Sequence, residues 1–282
     1  MIELARQLRY LAGQDAFRRN PASVLGRLTA WRAISVMGRK KHVIDLPSYG
    51  VSMAVPSEWH GIAKLIFAYR DFYDRELVWL SKNVSPGSVT VDVGASFGIY
   101  TLVAARAAGI SGQVFSFEPA TAAFDILKAN VDRNRLTNVH AFRCALGERD
   151  GEGELYHHRD SSRNSLAHAA GMAGTSESVH LTTLGKVLDT AGVEKVDLIK
   201  IDVEGTEELV LKGCSTMVRR ARPKIIIELS PARASAIGLR ADGAWQLLAS
   251  LGYKMYEIAS GGRLCRVERS PQRLINVVAF PE

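Results

Sequence analysis

Cysteine is scarce in these 282 residues: Cys144, Cys214 and Cys265 are odd in number, far apart and form no CxxC pair. That scarcity excludes a disulfide framework or a zinc ribbon and fits a reducing cytoplasm. No apolar run approaches the ~18 residues of a membrane span. Glu3, Arg6 and Arg9 interrupt the start too often for a secretory signal. There is no internal repeat or low-complexity stretch, and no G-x-G-x-x-G dinucleotide fingerprint. What is present, 47% hydrophobic and 23% charged residues, excludes wholesale disorder, collagen and coiled coil. The length suits one large domain or one domain with an accessory piece.

Charge is unevenly placed. Residues 1–42 hold nine Lys/Arg against Glu3 and Asp15, which accounts for the whole net charge of +7. The remaining 240 residues balance 27 basic against 27 acidic side chains. The basic character therefore belongs to the N-terminus. There, Leu4, Leu8 and Leu11, then Val24, Leu25, Leu28 and Trp31, recur at helical spacing on either side of Asn20-Pro21. A hairpin is expected over 43–56 and an aromatic-rich helix over 58–82. Beyond the turn at Ser85-Pro86-Gly87, strands and helices alternate, which predicts right-handed βαβ units and a mostly parallel sheet. The division this suggests is an N-terminal helical and hairpin extension, 1–82, and an α/β domain, 83–282.

Ligands of such sheets sit outside the carboxyl ends of the strands. The first of these strands ends in Asp92-Val93-Gly94-Ala95-Ser96-Phe97-Gly98. Gly94 and Gly98 allow a close backbone approach, while a carboxylate beside them repels a pyrophosphate and suits a positive amino or sulfonium group. S-adenosylmethionine is such a ligand. Glu118, 24 positions after Gly94 at the next strand's end, is placed to accept hydrogen bonds from ribose hydroxyls, with Pro119 shaping the pocket. Asn138, Ala145 and Leu146, around the third strand, are expected to flank the adenine.

These motifs, together with Ile199-Lys200-Ile201-Asp202-Val203-Glu204-Gly205, resemble the FkbM family of S-adenosylmethionine-dependent methyltransferases over roughly 200 residues, from Tyr73 to Asn276. The resemblance implies a Rossmann-like class I methyltransferase fold, with a seven-stranded, mostly parallel sheet whose last strand is antiparallel. It also implies O-methylation of hydroxyls on sugars, glycans or polyketide-type molecules. Tyr100, Thr101 and Tyr73 join the cofactor-binding set by the same match. Two departures stand out: Ser96 replaces a frequent Asn, and Gly185 replaces an Asp after the Thr-Leu pair.

A sugar hydroxyl needs a general base or a metal to remove its proton. Asp202 and Glu204, two apart at a strand end, would project to one face if the strand persists, with Lys200 on the same alternation. They are the catalytic candidates, and the candidate ligands if a divalent metal takes part. The competing structural reading is that both merely cap the following helix. Glu228, Asn164 and Ser165 are candidates for contact with the acceptor. The basic N-terminus admits a cap over the substrate entrance, a homo-oligomer contact or a peripheral membrane contact; nucleic acid is disfavoured for want of an RNA-binding module. The alternatives to a methyltransferase are a nicotinamide-dependent oxidoreductase and a non-catalytic nucleotide-binding protein.

Overall fold

The computed structural model describes residues 11–37, 41–57, 61–158, 164, 166 and 172–282. The N-terminal helices are Asp15–Arg19 and Pro21–Val36; the Asn20 side chain caps the second by accepting the Ser23 N–H at 3.0 Å. A hairpin follows, β1 (Lys41–Leu46) and β2 (Val51–Pro56). The expected helix over 58–82 is instead two, Ile62–Tyr69 and Arg75–Asn83. They are separated by a single 3₁₀ turn over Arg70–Phe72, where Arg70 takes φ 55°. Asp74 restarts the helix by accepting the Leu77 N–H at 2.6 Å, so a cap overrides a continuous aromatic pattern.

The remaining strands are β3 (Val89–Val93), β4 (Gln113–Phe117), β5 (Val139–Phe142), β6 (Ala145–Leu146), β7 (Gly151–His158), β8 (Met172–Thr182), β9 (Leu198–Ile201), β10 (Lys224–Leu229), β11 (Tyr253–Ile258), β12 (Leu264–Arg266) and β13 (Ile275–Pro281). The main sheet runs β12-β11-β13-β10-β9-β3-β4-β5. Seven of these strands form the expected arrangement: β5, β4, β3, β9 and β10 are parallel, and β13 enters antiparallel to both β10 and β11. The eighth, β12, is a three-residue edge strand paired to β11. β6, β7 and β8 make a separate small sheet.

Strand alternation sorts the core. Val91, Val93, Phe115, Phe117, Ile199 and Ile201 face one apolar layer, packed with the helices Leu184–Thr190, Glu207–Gly213, Ser215–Ala221 and Gly243–Ser250. Val114, Leu198 and Ile226 face the other, which also takes in Trp31, Met53, Phe67, Leu80 and Leu102. The N-terminal elements thus share a core with the sheet: Trp31 packs on Phe67 at 5.1 Å between ring centroids. Each fully buried side chain of this size contributes about 1.5–3 kcal/mol.

One row interrupts the second layer. Ser116, Asp92 and Lys200 are register partners across β4, β3 and β9, all buried and all on that face. They lie directly beneath the carboxyl ends of the strands.

Candidate active site

A cavity opens at those ends, lined by the backbone of Gly94–Gly98, by Glu118 and Pro119, by Tyr73, Asp74 and Glu76, and by Lys200 to Glu204 with Glu228. Gly94 takes φ 76°, and a Cβ there would fall 1.9 Å from the Asp202 carbonyl oxygen. Only glycine lets the two strand-end loops meet.

Glu118 is buried at the end of β4. Its Oε2 accepts the Ser96 N–H at 2.8 Å and its Oε1 the Ala120 N–H at 2.9 Å. Burial outweighs these bonds and pushes its pKa up to about 7. Each oxygen keeps acceptor capacity. Beside it, Phe117, Cys144, Ala145, Leu146 and Leu155 form an apolar slot. Asn138 lies elsewhere. It is at the amino end of β5, where its side chain donates to the carbonyls of Ala105 and Gly109.

Asp92 and Thr101 sit beneath the cavity rather than on its wall. Thr101 Oγ1 donates to Asp92 Oδ2 at 2.7 Å and also meets Ser116 Oγ at 2.8 Å. The other Asp92 oxygen has no hydrogen-bond partner; Lys200 Nζ is 3.8 Å away. Lys200 lies 3.4 Å from both the Gly94 carbonyl and Asp202 Oδ2, and 4.8 Å above the Tyr100 ring. Its pKa is raised because Asp202 and Asp92 outweigh its burial. It is a buried cation holding two carboxylates and the glycine loop in one geometry.

The strand premise for Asp202 and Glu204 does not hold, but the two carboxylates still converge. β9 stops at Ile201, and the chain turns through Glu204 at φ 60° and Gly205 at φ 112°. The turn brings Asp202, Glu204 and Glu228 together, with one oxygen of each inside 4.8 Å of the others. The following helix, Glu207–Gly213, has Thr206 at its N-cap with no side-chain capping bond, and Glu207 Oε1 accepts the N–H groups of Val203 and Gly205 in the turn before it.

Sequence reasoning missed Arg233, on the short helix Pro231–Ala236. Its Nη1 lies 2.5 Å from Glu204 Oε2 and 2.5 Å from Glu228 Oε1. Gly205 permits this, since a Cβ there would meet Arg233 Cβ at 3.0 Å. Burial, with Asp202 and Glu204 close by, nevertheless pushes Glu228 up to about 9 despite the guanidinium.

Asp74 and Glu76 add to the acidity. The Tyr100 hydroxyl donates to Asp74 Oδ2 at 2.7 Å, and burial raises Asp74 to about 6. Burial and the neighbouring Asp74 raise Glu76 to about 8. Asn164 lies on the cavity wall; Ser165 is outside the described residues. Gly185 opens the helix Leu184–Thr190, where a Cβ would crowd the Gly213 carbonyl at 3.2 Å.

Residues 92–255 match the Methyltransferase FkbM domain family. The chain belongs to this family. It is 30% identical over 178 residues to 31-O-demethyl-FK506 methyltransferase FkbM of Streptomyces tacrolimicus, covering 52% of this chain and 67% of that one. It is 25% identical over 210 residues to hexuronic acid methyltransferase AglP of Haloferax volcanii, covering 73% and 81%. A solved methyltransferase FkbM from Methylobacillus flagellatus KT aligns at TM-score 0.43 and 14% identity, over 92% of this chain and 60% of that chain. Membership of a methyltransferase family weighs against the nicotinamide-dependent oxidoreductase.

The methyl donor of class I methyltransferases is S-adenosylmethionine, and the residues present fit it. The apolar slot suits an adenine, Glu118 beside it suits a ribose, and the acidic far end suits an ammonium and a sulfonium.

Proposed function

We propose that this chain is an S-adenosylmethionine-dependent O-methyltransferase acting on a hydroxyl of a small molecule or glycan, in the cytoplasm. The observation that carries the reading is the polarity of one cavity. Its wall bears Asp74, Glu76, Glu118, Asp202, Glu204 and Glu228 against Lys200, the single Lys or Arg on that wall among the described residues. Such a site favours a cationic donor and can take up a proton.

In this reading Gly94, Ala95, Ser96 and Gly98 present backbone to the donor. Glu118 accepts from its ribose, Ala145 and Leu146 with Pro119 bound the adenine, and Tyr73, Tyr100 and Asp74 close over its amino-acid end. The donor supplies an electrophilic methyl whose leaving group departs neutral, so alignment of the acceptor oxygen is the main demand. Asp202, with 39% of its side chain exposed, is the open member of the carboxylate cluster. It accepts the hydroxyl proton as the oxygen–methyl bond forms. Lys200 orients Asp202, and Asp92 and Thr101 orient Lys200 from below.

Asp202, Glu204 and Glu228 have the donor set for a divalent ion, but Arg233 already bridges two of them. We assign Arg233 the charge-balancing role and expect turnover without metal. The test is calorimetry with S-adenosylmethionine, S-adenosylhomocysteine and NAD, then methyl incorporation into hydroxylated sugars and sugar conjugates with and without chelator. Binding of NAD in place of the sulfonium ligand overturns the reading. Loss of turnover with chelator, restored by a divalent ion, overturns the role given to Arg233.

A further inference from the structure

A second cavity, about 800 Å³, adjoins the first. The two share Tyr73, Asp74, Glu76 and Asn276, so their partition is one layer of side chains. The second is walled by the helix Asp15–Arg19, the helix Arg75–Asn83 and the segment from Glu257 to Gly262.

Its charge balance is different: Arg18, Arg19, Arg75, Lys82 and Arg273 line it, facing Asp15, Asp74, Glu76 and Glu257. Arg75 is engaged by Asp15 at 3.2 Å, and Arg273 by Glu257 at 3.2 Å. That leaves three cations with no salt bridge among the described residues. Arg18 donates to the Ala12 carbonyl and to Ser260 Oγ, Arg19 lies 4.3 Å over the Phe72 ring, and Lys82 is exposed in the last turn of its helix. On the shared wall, Asp74 and Glu76 face both cavities, and burial raises them to about 6 and about 8. A concavity with five cations against four carboxylates, three of the cations outside any salt bridge among the described residues, is a receptor for a multiply charged anion.

We propose that this second cavity is the acceptor site, and that the acceptor carries a phosphate or pyrophosphate group seated against Arg18, Arg19 and Lys82. This rests on the methyltransferase reading and deepens it. An acceptor anchored by its anion in the basic cavity turns its uncharged, hydroxylated end toward Tyr73, Asp74 and Asn276, across which the donor lies. The two cavities sort the two substrates by sign: a cationic donor to the acidic one, an anionic acceptor to the basic one. A lipid surface is the weaker occupant of this cavity: the helix Pro21–Val36 leaves Leu25 and Val36 exposed, but neither lines it.

Inorganic pyrophosphate is the probe, titrated at low salt into the full-length protein, its Arg19→Glu/Lys82→Glu variant and an Arg32→Glu/Lys128→Glu control of equal net charge. The control residues line neither cavity. The expected result is saturable binding to the wild type and the control, weakened about fivefold or more in the cavity variant. S-adenosylhomocysteine binding should be unchanged in all three. Absence of pyrophosphate binding overturns the proposal, as does equal weakening in both variants. So does binding to anionic phosphatidylglycerol vesicles without binding of pyrophosphate. Failure of S-adenosylhomocysteine to bind the wild type sinks the methyltransferase reading instead, so the two failures are distinguishable.

Discussion

Two neighbouring loops build the first cavity by opposite means. The loop after β3, Gly94 to Gly98, contributes backbone; the turn after β9, Asp202 to Thr206, contributes carboxylates. Both bend through positive φ, at Gly94, Ser96 and Gly98 in one and at Glu204 and Gly205 in the other. The first is spelled with glycines where the Asp202 carbonyl and the Leu127 side chain come close to its backbone. The second places a charged residue, Glu204, in the left-handed region, at a conformational cost that Arg233 and the surrounding packing offset. In the proposed reading, binding surface and chemistry are thus set side by side, and each can be perturbed separately.

The largest effect is expected where the loops touch. Gly94→Ala forces a Cβ into the Asp202 carbonyl and a side chain into φ 76°. A loss of about 3 kcal/mol or more in stability is expected, with no measurable S-adenosylhomocysteine binding. Chemical denaturation and calorimetry give the two readings. A near-wild-type result in both would mean that the loops do not depend on each other.

Asp202→Asn tests the second loop alone. Removing a general base lowers kcat by about 10²–10⁴-fold, while donor affinity should stay within a few-fold because Asp202 is not the ribose acceptor. If donor binding fell as far as turnover did, Asp202 would belong to the binding loop and the division between the two loops would collapse.

Why one loop is legible in the sequence and the other is not is a matter of backbone. Glycines at 94 and 98, followed 24 residues after the first by an acid at a strand end, leave their mark because each requirement is local. An αL glutamate leaves none. Asp202 and Glu204 look like a continuing strand, and their convergence comes from the turn that replaces it. Arg233 escapes notice because it reaches Glu204 from 29 positions away on a six-residue helix. Asp92 stands out in the sequence as a ligand contact, whereas its register with Lys200 and Ser116 exists only in the assembled sheet. The interruption at Arg70–Phe72 is likewise hidden inside an unbroken aromatic pattern.

Protonation separates the loops again. Burial raises Glu118 to about 7, and accepting from two ribose hydroxyls favours its ionised form. Affinity for S-adenosylhomocysteine should be full above that pH and fall about tenfold per unit below it. Asp74 at about 6 and Glu76 at about 8 also face the cavity, so the comparison is with Glu118→Gln. That variant should bind weakly and lose this component of the pH dependence. An unchanged profile would assign the titration to Asp74 or Glu76.

The smallest effect concerns Ser96, the non-glycine residue of the first loop at φ 50°. Asn tolerates the left-handed region better than Ser, and the contact that matters here is the Ser96 N–H to Glu118, which any residue but proline supplies. Ser96→Asn should therefore raise stability by less than about 1 kcal/mol and leave donor affinity unchanged. Thermal and chemical denaturation with calorimetry decide it. A clear loss of affinity would show that the Ser96 hydroxyl, not its backbone, meets the donor, and the first loop would no longer be a purely backbone surface.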